Sequence, residues 1–431
     1  MLISIGTHLT KPCHLIFFHC STATALKVVI SEENDYHSCP VCYRQQLAYE
    51  EHKAHDAICD FLEGQGFTVT RHAYGVDTSF ECISGTEGRL INLNAEYDAL
   101  PDIGHACGHN LIATSSIAAF LALSQLQKKS GIKGRIQLLG TPAEENGGGK
   151  EKLIDAGAFQ GVDISLMNLG GPTGDGVAGV LMNARKELHV EYFGKNAHAG
   201  GNPWDGVNAL DALVQAYNGI STLRQQILPE ERIHGAFLEV PKVANVIPAY
   251  TKSYWQVRSP TLQGLNKLIA KVEAMYRGAA GNNGATFSRD GLYTDIILNE
   301  TLCERFTGHM TAYGKKFVQK LDQVLTGSSD VGEFCNATIL ILLNHVTNIL
   351  QGNVSYVVPT LHATFGISTS NGSFPHHTEF TACAGTNEAH DAAVLTGEGL
   401  ALLGWDMLTD DALYTSARVQ WEGQIPKEAA H

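Results

Sequence analysis

Residues 89–95 read Arg-Leu-Ile-Asn-Leu-Asn-Ala and run straight into Glu96-Tyr-Asp98-Ala-Leu-Pro-Asp-Ile-Gly-His105-Ala-Cys107-Gly-His109-Asn110. The first seven form a short, turn-bounded apolar run of the kind expected of a buried parallel strand. Two further runs have the same character, Arg135 to Gly140 and Asp163 to Leu169. A long apolar helix is expected between the first two, from Asn110 to Leu126, stopped by Lys128-Lys129 and Gly131. A shorter helix, Lys150 to Ala156, is expected between the second and third. Strand, helix, strand, helix, strand is an α/β pattern, and the handedness of such connections leads to a doubly wound, mostly parallel sheet.

Upstream, Leu47 to Phe61 has helical spacing, and Phe67 to Arg71 and Ser79 to Ile83 read as short strands. From Arg185 the pattern changes. Leu188, Val190 and Tyr192 alternate with polar residues, as in a half-exposed strand. Helix, strand, strand, helix and strand follow up to Ser288, which is the order of a ferredoxin-like α+β unit. The α/β pattern resumes near Leu292 and closes with a helix from Asn387 to Leu408, after which the chain reads as frayed. The expected organisation is an irregular extension over 1–44, a large α/β domain over 45–184 and 290–424, and an inserted small domain over 185–289. The extension carries a Cys39-Pro-Val-Cys42 pair, but Cys13 and Cys20 upstream lack the spacing of a zinc knuckle. Residues 333–352 (EFCNATILILLNHVTNILQG) stand out as an anomalous apolar insertion.

Length and composition narrow the function. A chain of 431 residues holds two or three domains at about 150 residues each. Its 30 basic against 44 acidic residues give a net charge of −14, which argues against nucleic acid as a partner because phosphate neutralisation needs clustered Lys and Arg. No run of 18 uninterrupted apolar residues occurs, so no membrane span is expected. Ten irregularly spaced cysteines fit a reducing compartment, and a cytoplasmic location is expected.

The chemistry-bearing residues cluster at the carboxyl ends of the three buried runs, where open α/β sheets place their ligand crevice. They are Glu96, Asp98, His105, Cys107 and His109 after the first, Glu144-Glu145-Asn146 before three glycines after the second, and Asn168 at the third. Thiolate, imidazole and carboxylate together suit a borderline-soft divalent ion, Zn²⁺ first, with Mn²⁺ or Co²⁺ as alternatives. Adjacent Glu144 and Glu145 cannot easily point the same way, so one can hold a metal while the other takes a proton from water and passes it to a leaving amine.

The strings NAEYDALPDIGHACGHN, GTPAEENGGGK, GKNAHAGGNPWDGVNALDA, NVIP and PHHTEFTACAGTNEAHDAAV resemble the M20 metallopeptidase family, amidohydrolase branch. The resemblance implies a catalytic α/β domain with a lid and dimerisation domain, a homodimer formed through that lid, and hydrolysis of a dipeptide or N-acyl amino acid. It implies metal ligation by Cys107, His109, Glu145 and His377, with Cys107 bridging two ions and Asp98 supporting them. It implies Glu144 as the general base, and His198 as a donor to the oxyanion in a neighbouring subunit's site. Asn245 and Arg258 match positions near the substrate's carboxylate.

Two departures from the family pattern stand out. Leu169-Gly170 replaces a His-Pro pair whose histidine is a ligand, so one ion is expected to be tight and the other weak or absent, with Asn168 a poor substitute. An impaired, M20-fold binding or scaffold protein is the alternative that this departure raises. Removing 333–352 joins GSSDVG to NVSYVVP, the run seen in relatives, which points to an insertion of intron origin.

Overall fold

The three apolar runs lie side by side as parallel strands. The computed structural model describes residues 46–172, 175–321 and 351–426. The chain divides into two compact units, Met182–Asp295 and the remainder. In the larger unit the order begins with helix α1 (His52–Gly64), strands β1 (Val69–Arg71), β2 (Phe80–Ser84) and β3 (Leu90–Ala95), and helix α2 (His109–Ser130). Strand β4 (Arg135–Gly140), helix α3 (Gly149–Asp155), and strands β5 (Ile164–Gly171) and β6 (Gly176–Val177) follow.

The smaller unit holds β7 (Ala184–Phe193), β8 (Ala197–His198), α4 (Ala209–Leu223), β9 (Arg232–Glu239), β10 (Val246–Ile247), β11 (Tyr250–Ser259), α5 (Leu262–Ala279) and β12 (Gly284–Tyr293). Its antiparallel sheet has the order β12-β7-β11-β9, the ferredoxin-like arrangement. The alternation that marked β7 places Leu188, Val190 and Tyr192 in a core with Trp255, Leu213 and Val272 beneath the two helices. Asn208 and Thr261 cap those helices through their side-chain oxygens.

The chain then returns to the larger unit with α6 (Glu300–Ala312), β13 (Phe317–Val318), α7 (Gln351–Ser355), β14 (Thr360–Gly366), α8 (Thr378–Ala384), α9 (Asn387–Thr409) and α10 (Asp411–Gln424). The sheet order is β1-β2-β4-β3-β5-β14-β6-β13, with β4, β3, β5 and β14 mutually parallel. Every residue of β3 and β5 is buried, because helices cover both faces. Ile91, Leu93 and Ala95 pack with α2 and α9, while Leu90 and Leu139 pack on the other side with Leu153, Val354 and Val358. Helices α2 and α9 approach so closely that a Cβ at Gly397 would lie 2.4 Å from the Ser115 carbonyl. Among the described residues, no helix is long and apolar enough to cross a membrane.

Two readings of the sequence need adjustment. The first helix starts at His52 rather than Leu47, because Tyr49 takes a positive φ of 66° and breaks the run. The segment after Leu408 is ordered as α10, capped by Asp410, with Asn299 donating to the Ala417 carbonyl and Trp421 to that of Ser355. The expected extension over 1–44 and residues 333–350 of the insertion lie outside the described residues. The last two residues of the insertion, Gln351 and Gly352, open α7.

Helix α9 is tied to α6 by Asp406, whose carboxylate accepts from His309 Nε2 at 2.6 Å and from Arg305 Nε. Burial pushes the Asp406 pKa up, but the His309 and Arg305 donors outweigh it and hold it below the usual value. A group depressed in the folded state stabilises above its unfolded pKa, near 4, and loses that contribution as pH falls through the folded value. Asp406→Asn is therefore expected to cost about 1–3 kcal/mol at pH 7. Thermal melts across pH should show the gap to the natural protein closing below about pH 4.

Candidate metal centre

The parallel strands deliver two loops to one place. Tyr97 stacks on Phe80, with ring centroids 6.0 Å apart, and its hydroxyl donates to the Thr78 carbonyl at 2.5 Å. Its neighbours Glu96 and Asp98 both meet His109, the first residue of α2. The turn leading into α2 needs a left-handed residue at Gly108, where a Cβ would also sit 3.3 Å from the Phe380 ring.

The second loop follows β4. A Cβ at Gly149 would lie 1.7 Å from the Pro142 carbonyl, so only glycine lets the loop close on itself there. Ala143 takes a positive φ of 57°, and its N–H donates to Glu51 Oε1 at 2.8 Å. Thr78 donates to the other oxygen of Glu51 at 2.7 Å. Burial, helped by the nearby Asp98 charge, raises the Glu51 pKa to about 8. Glu145 N–H donates to Asp98 Oδ2 at 2.9 Å, so one carboxylate ties both loops.

Two sets of metal-type donors result, each with its atoms within 4.8 Å of one another: Cys107, Glu145 and His376, and Glu96, His109 and Glu144. His109 Nδ1 lies 2.9 Å from the Asp98 carbonyl and 3.0 Å from its carboxylate. Both are acceptors, which assigns the proton to Nδ1 and turns the Nε2 lone pair into the cluster. Nε2 lies 3.6 Å from Glu96 Oε2, 3.6 Å from Glu144 Oε2 and 3.8 Å from Glu145 Oε1. Glu145 Oε1 lies 3.2 Å from His376 Nε2, and this buried oxygen accepts no hydrogen bond among the described residues. Soft thiolate, imidazole and carboxylate donors at such spacing fit a divalent transition ion.

The electrostatics agree with this donor set. Burial lifts the Cys107 thiol well above its ordinary pKa, and Glu145 adds to the effect. Burial, Glu96 and Glu145 raise Glu144 well above the usual carboxylate range. Burial lowers His105 to about 4, with His109 adding to the effect. For His109 burial acts downward, but Asp98 and Cys107 outweigh it and the pKa is raised.

Most expected residues are thus brought together: Asp98, Cys107, His109, Glu144 and Glu145. His377 is not part of either donor set; it is the residue before α8, and its neighbour His376 meets Glu145. The positive φ of 69° at His376, with its N–H donating to the Ala106 carbonyl at 2.8 Å, turns that side chain inward. The Asn168 amide donates to Ser115 Oγ and the Thr396 carbonyl, on the α2 and α9 side. Glu96, noted at the strand end but given no role there, joins the second donor set, and Glu51 and Lys150 are functional candidates that sequence reading passed over.

In the smaller unit, β8 pairs with β10, which sets His198 opposite Val246 and next to Asn245. The N–H groups of Gly200 and Gly201 donate to His198 Nδ1 at 3.1 and 3.0 Å, which leaves the proton on Nε2. Arg258 is not with them. It lies near the far end of β11, about 25 Å along the strand at about 3.3 Å per residue. There it pairs in register with Arg185 and donates to Gln256 Oε1 at 3.1 Å. Burial and the Arg185 charge lower its pKa to about 10.

Residues 93–354 match the sequence profile of peptidase family M20/M25/M40. Xaa-Arg dipeptidase of Mus musculus is 35% identical over 401 residues, covering 89% of this chain and 87% of the mouse protein. Its Homo sapiens counterpart is 33% identical over 408 residues, with the same coverage. A p-aminobenzoyl-glutamate hydrolase polypeptide of Escherichia coli is 29% identical over 257 residues, 54% of this chain and 52% of the bacterial one. An aminohydrolase structure from methicillin-resistant Staphylococcus aureus superposes with a TM-score of 0.66 at 18% identity, covering 89% and 97% of the two chains. A dinuclear metal-binding M20 peptidase of Bacillus subtilis gives 0.64 at 18% identity, covering 89% and 99%.

The two adjacent histidines can be told apart by experiment. His376→Ala should weaken zinc binding by about 10–100-fold in calorimetry, while His377→Ala leaves it within a few-fold. The reverse order would restore His377 as the ligand.

Proposed function

The chain belongs to peptidase family M20/M25/M40, and from that premise we propose that it is a metal-dependent hydrolase cleaving dipeptides or N-acyl amino acids, with zinc as its ion. Hydrolysis of a peptide or amide bond is its reaction class. The observation that carries the reading is that two adjacent carboxylates enter two different donor sets, Glu145 with Cys107 and His376, and Glu144 with Glu96 and His109. A dipeptide ending in a basic residue is the preferred substrate class, supported by the names of the mouse and human relatives.

Cys107, Glu145 and His376 would hold a divalent cation, which would supply Lewis acidity toward the scissile carbonyl and make the attacking water more acidic. Glu144 takes that water's proton and delivers it to the departing amine. Its raised pKa suits this double duty, because a base must also become an acid within one cycle. Asp98 holds His109 in one tautomer and fixes the Glu145 backbone, so neither donor must reorganise during turnover. His198, with its proton on Nε2, is the proposed donor to the developing oxyanion, acting in the site of a second copy. Asn245 and Arg258 are proposed to contact the substrate's carboxylate end; because they lie apart on one chain, each would serve a different copy's site.

A homodimer is proposed through the edge strand β9. Residues 234–239 of that strand are all exposed, and Phe237, Leu238 and Val240 form an apolar surface beside Val214 and Tyr217 of α4. An edge with open backbone groups and an apolar flank suits antiparallel pairing with a second copy. The scaffold alternative has no support in the relatives, which are named as hydrolases.

Glu144→Gln is expected to keep the bound ion while turnover falls by about 10²–10⁴-fold, measured on dipeptides ending in Lys, Orn or Arg beside N-acyl amino acids. Unchanged turnover would remove Glu144 from the mechanism. Leu238→Lys should halve the mass found by light scattering if β9 pairs two copies.

A further inference from the structure

Lys150, the second residue of α3, is fully buried, and its ammonium bonds Glu96 Oε1, itself 1% exposed. The other oxygen of Glu96 lies 3.6 Å from His109 Nε2, and Glu144 Oε2 lies 3.6 Å from the same nitrogen. The spacing of this second donor set suits a metal ion, but its charge is already answered, since a fixed cation holds one of its carboxylates. The Lys150 charge also reaches Glu144, lowering its raised pKa, and His362, whose pKa falls to about 3 through burial and then Lys150. A cation that is covalently part of α3 is thus built into the second donor set through Glu96.

We propose that the Lys150 ammonium replaces a second metal ion: it neutralises Glu96 beside Glu144, and the centre holds one divalent cation on Cys107, Glu145 and His376. The proposal rests on the metal-dependent reading above and assigns the number of ions to one side chain. Because an ammonium and a dication compete for the same carboxylate, removing the ammonium frees Glu96 as a ligand. Glu96, His109 and Glu144 then become available together.

The test is zinc stoichiometry, read by native mass spectrometry and calorimetry on the full chain after chelation. The natural protein should take one tight ion. Lys150→Met, similar in length and without charge, should take two, its second step tightened by at least about tenfold. Glu96→Gln combined with Lys150→Met should return to one, because the freed ligand is gone. If Lys150→Met folds poorly without metal, its thermal midpoint should climb until two equivalents of zinc are present, against one for the natural chain. Lys150→Met that stops at one ion, or a double variant that takes two, would overturn the role of Lys150 while leaving a one-ion hydrolase intact. A natural chain with two equally tight ions would also overturn it. A natural chain that binds no ion, or that works undiminished after exhaustive chelation, would overturn the metal-dependent reading itself.

Discussion

The Asp98 carboxylate is the contact on which the centre depends. It is buried, and burial alone would raise its pKa; the His109 charge and the hydrogen bonds from His109 and from the loop backbone outweigh that and hold it below the ordinary value. One oxygen meets the imidazole at the start of α2, the other the backbone of Glu145 in the loop after β4. These two segments are 36 residues apart in sequence and meet only because β3 and β4 are neighbours in register. The sheet therefore sets the distance, and the carboxylate sets the tautomer and the loop position.

The loop itself is held against its own preference. An alanine in the left-handed region costs about 1–2 kcal/mol. At Ala143 that cost is offset by a buried hydrogen bond to Glu51, which Thr78 fixes from its other side. Gly149 closes the loop because no other residue fits beneath the Pro142 carbonyl. Together these contacts position the loop that carries Glu144 and Glu145 into different donor sets.

Much of this was legible in the sequence. The short apolar runs, the helix between them and the alternating pattern after Arg185 report burial directly, and burial follows the period of each element. Helix α10 was not legible, because among its residues only Ala417 is fully buried and so little apolar periodicity marks it. His376 and His377 are neighbours, and which of them turns inward depends on a positive φ that no pattern of residue types encodes. In the linear text Glu51 reads as part of the first helix and Lys150 as the start of another. Their roles come from where α1 and α3 dock, not from their own neighbours.

Four carboxylates, Glu96, Asp98, Glu144 and Glu145, crowd around one imidazole. Taking each charge out of water costs several kcal/mol even after relaxation, so such a cluster persists only with cations or bound protons to balance it. A metal ion can be lost as its ligands gain protons, but a lysine on a docked helix cannot leave. Lys150 thus stays bonded to Glu96, and the Glu96 charge beside Glu144 helps hold the Glu144 pKa high. The same ammonium pulls that pKa back down, so the pair acts on the proposed base in opposite senses. The balance between a fixed charge pair and a loop held by Asp98 and Glu51 is what would let the proposed base both accept a proton and give it up.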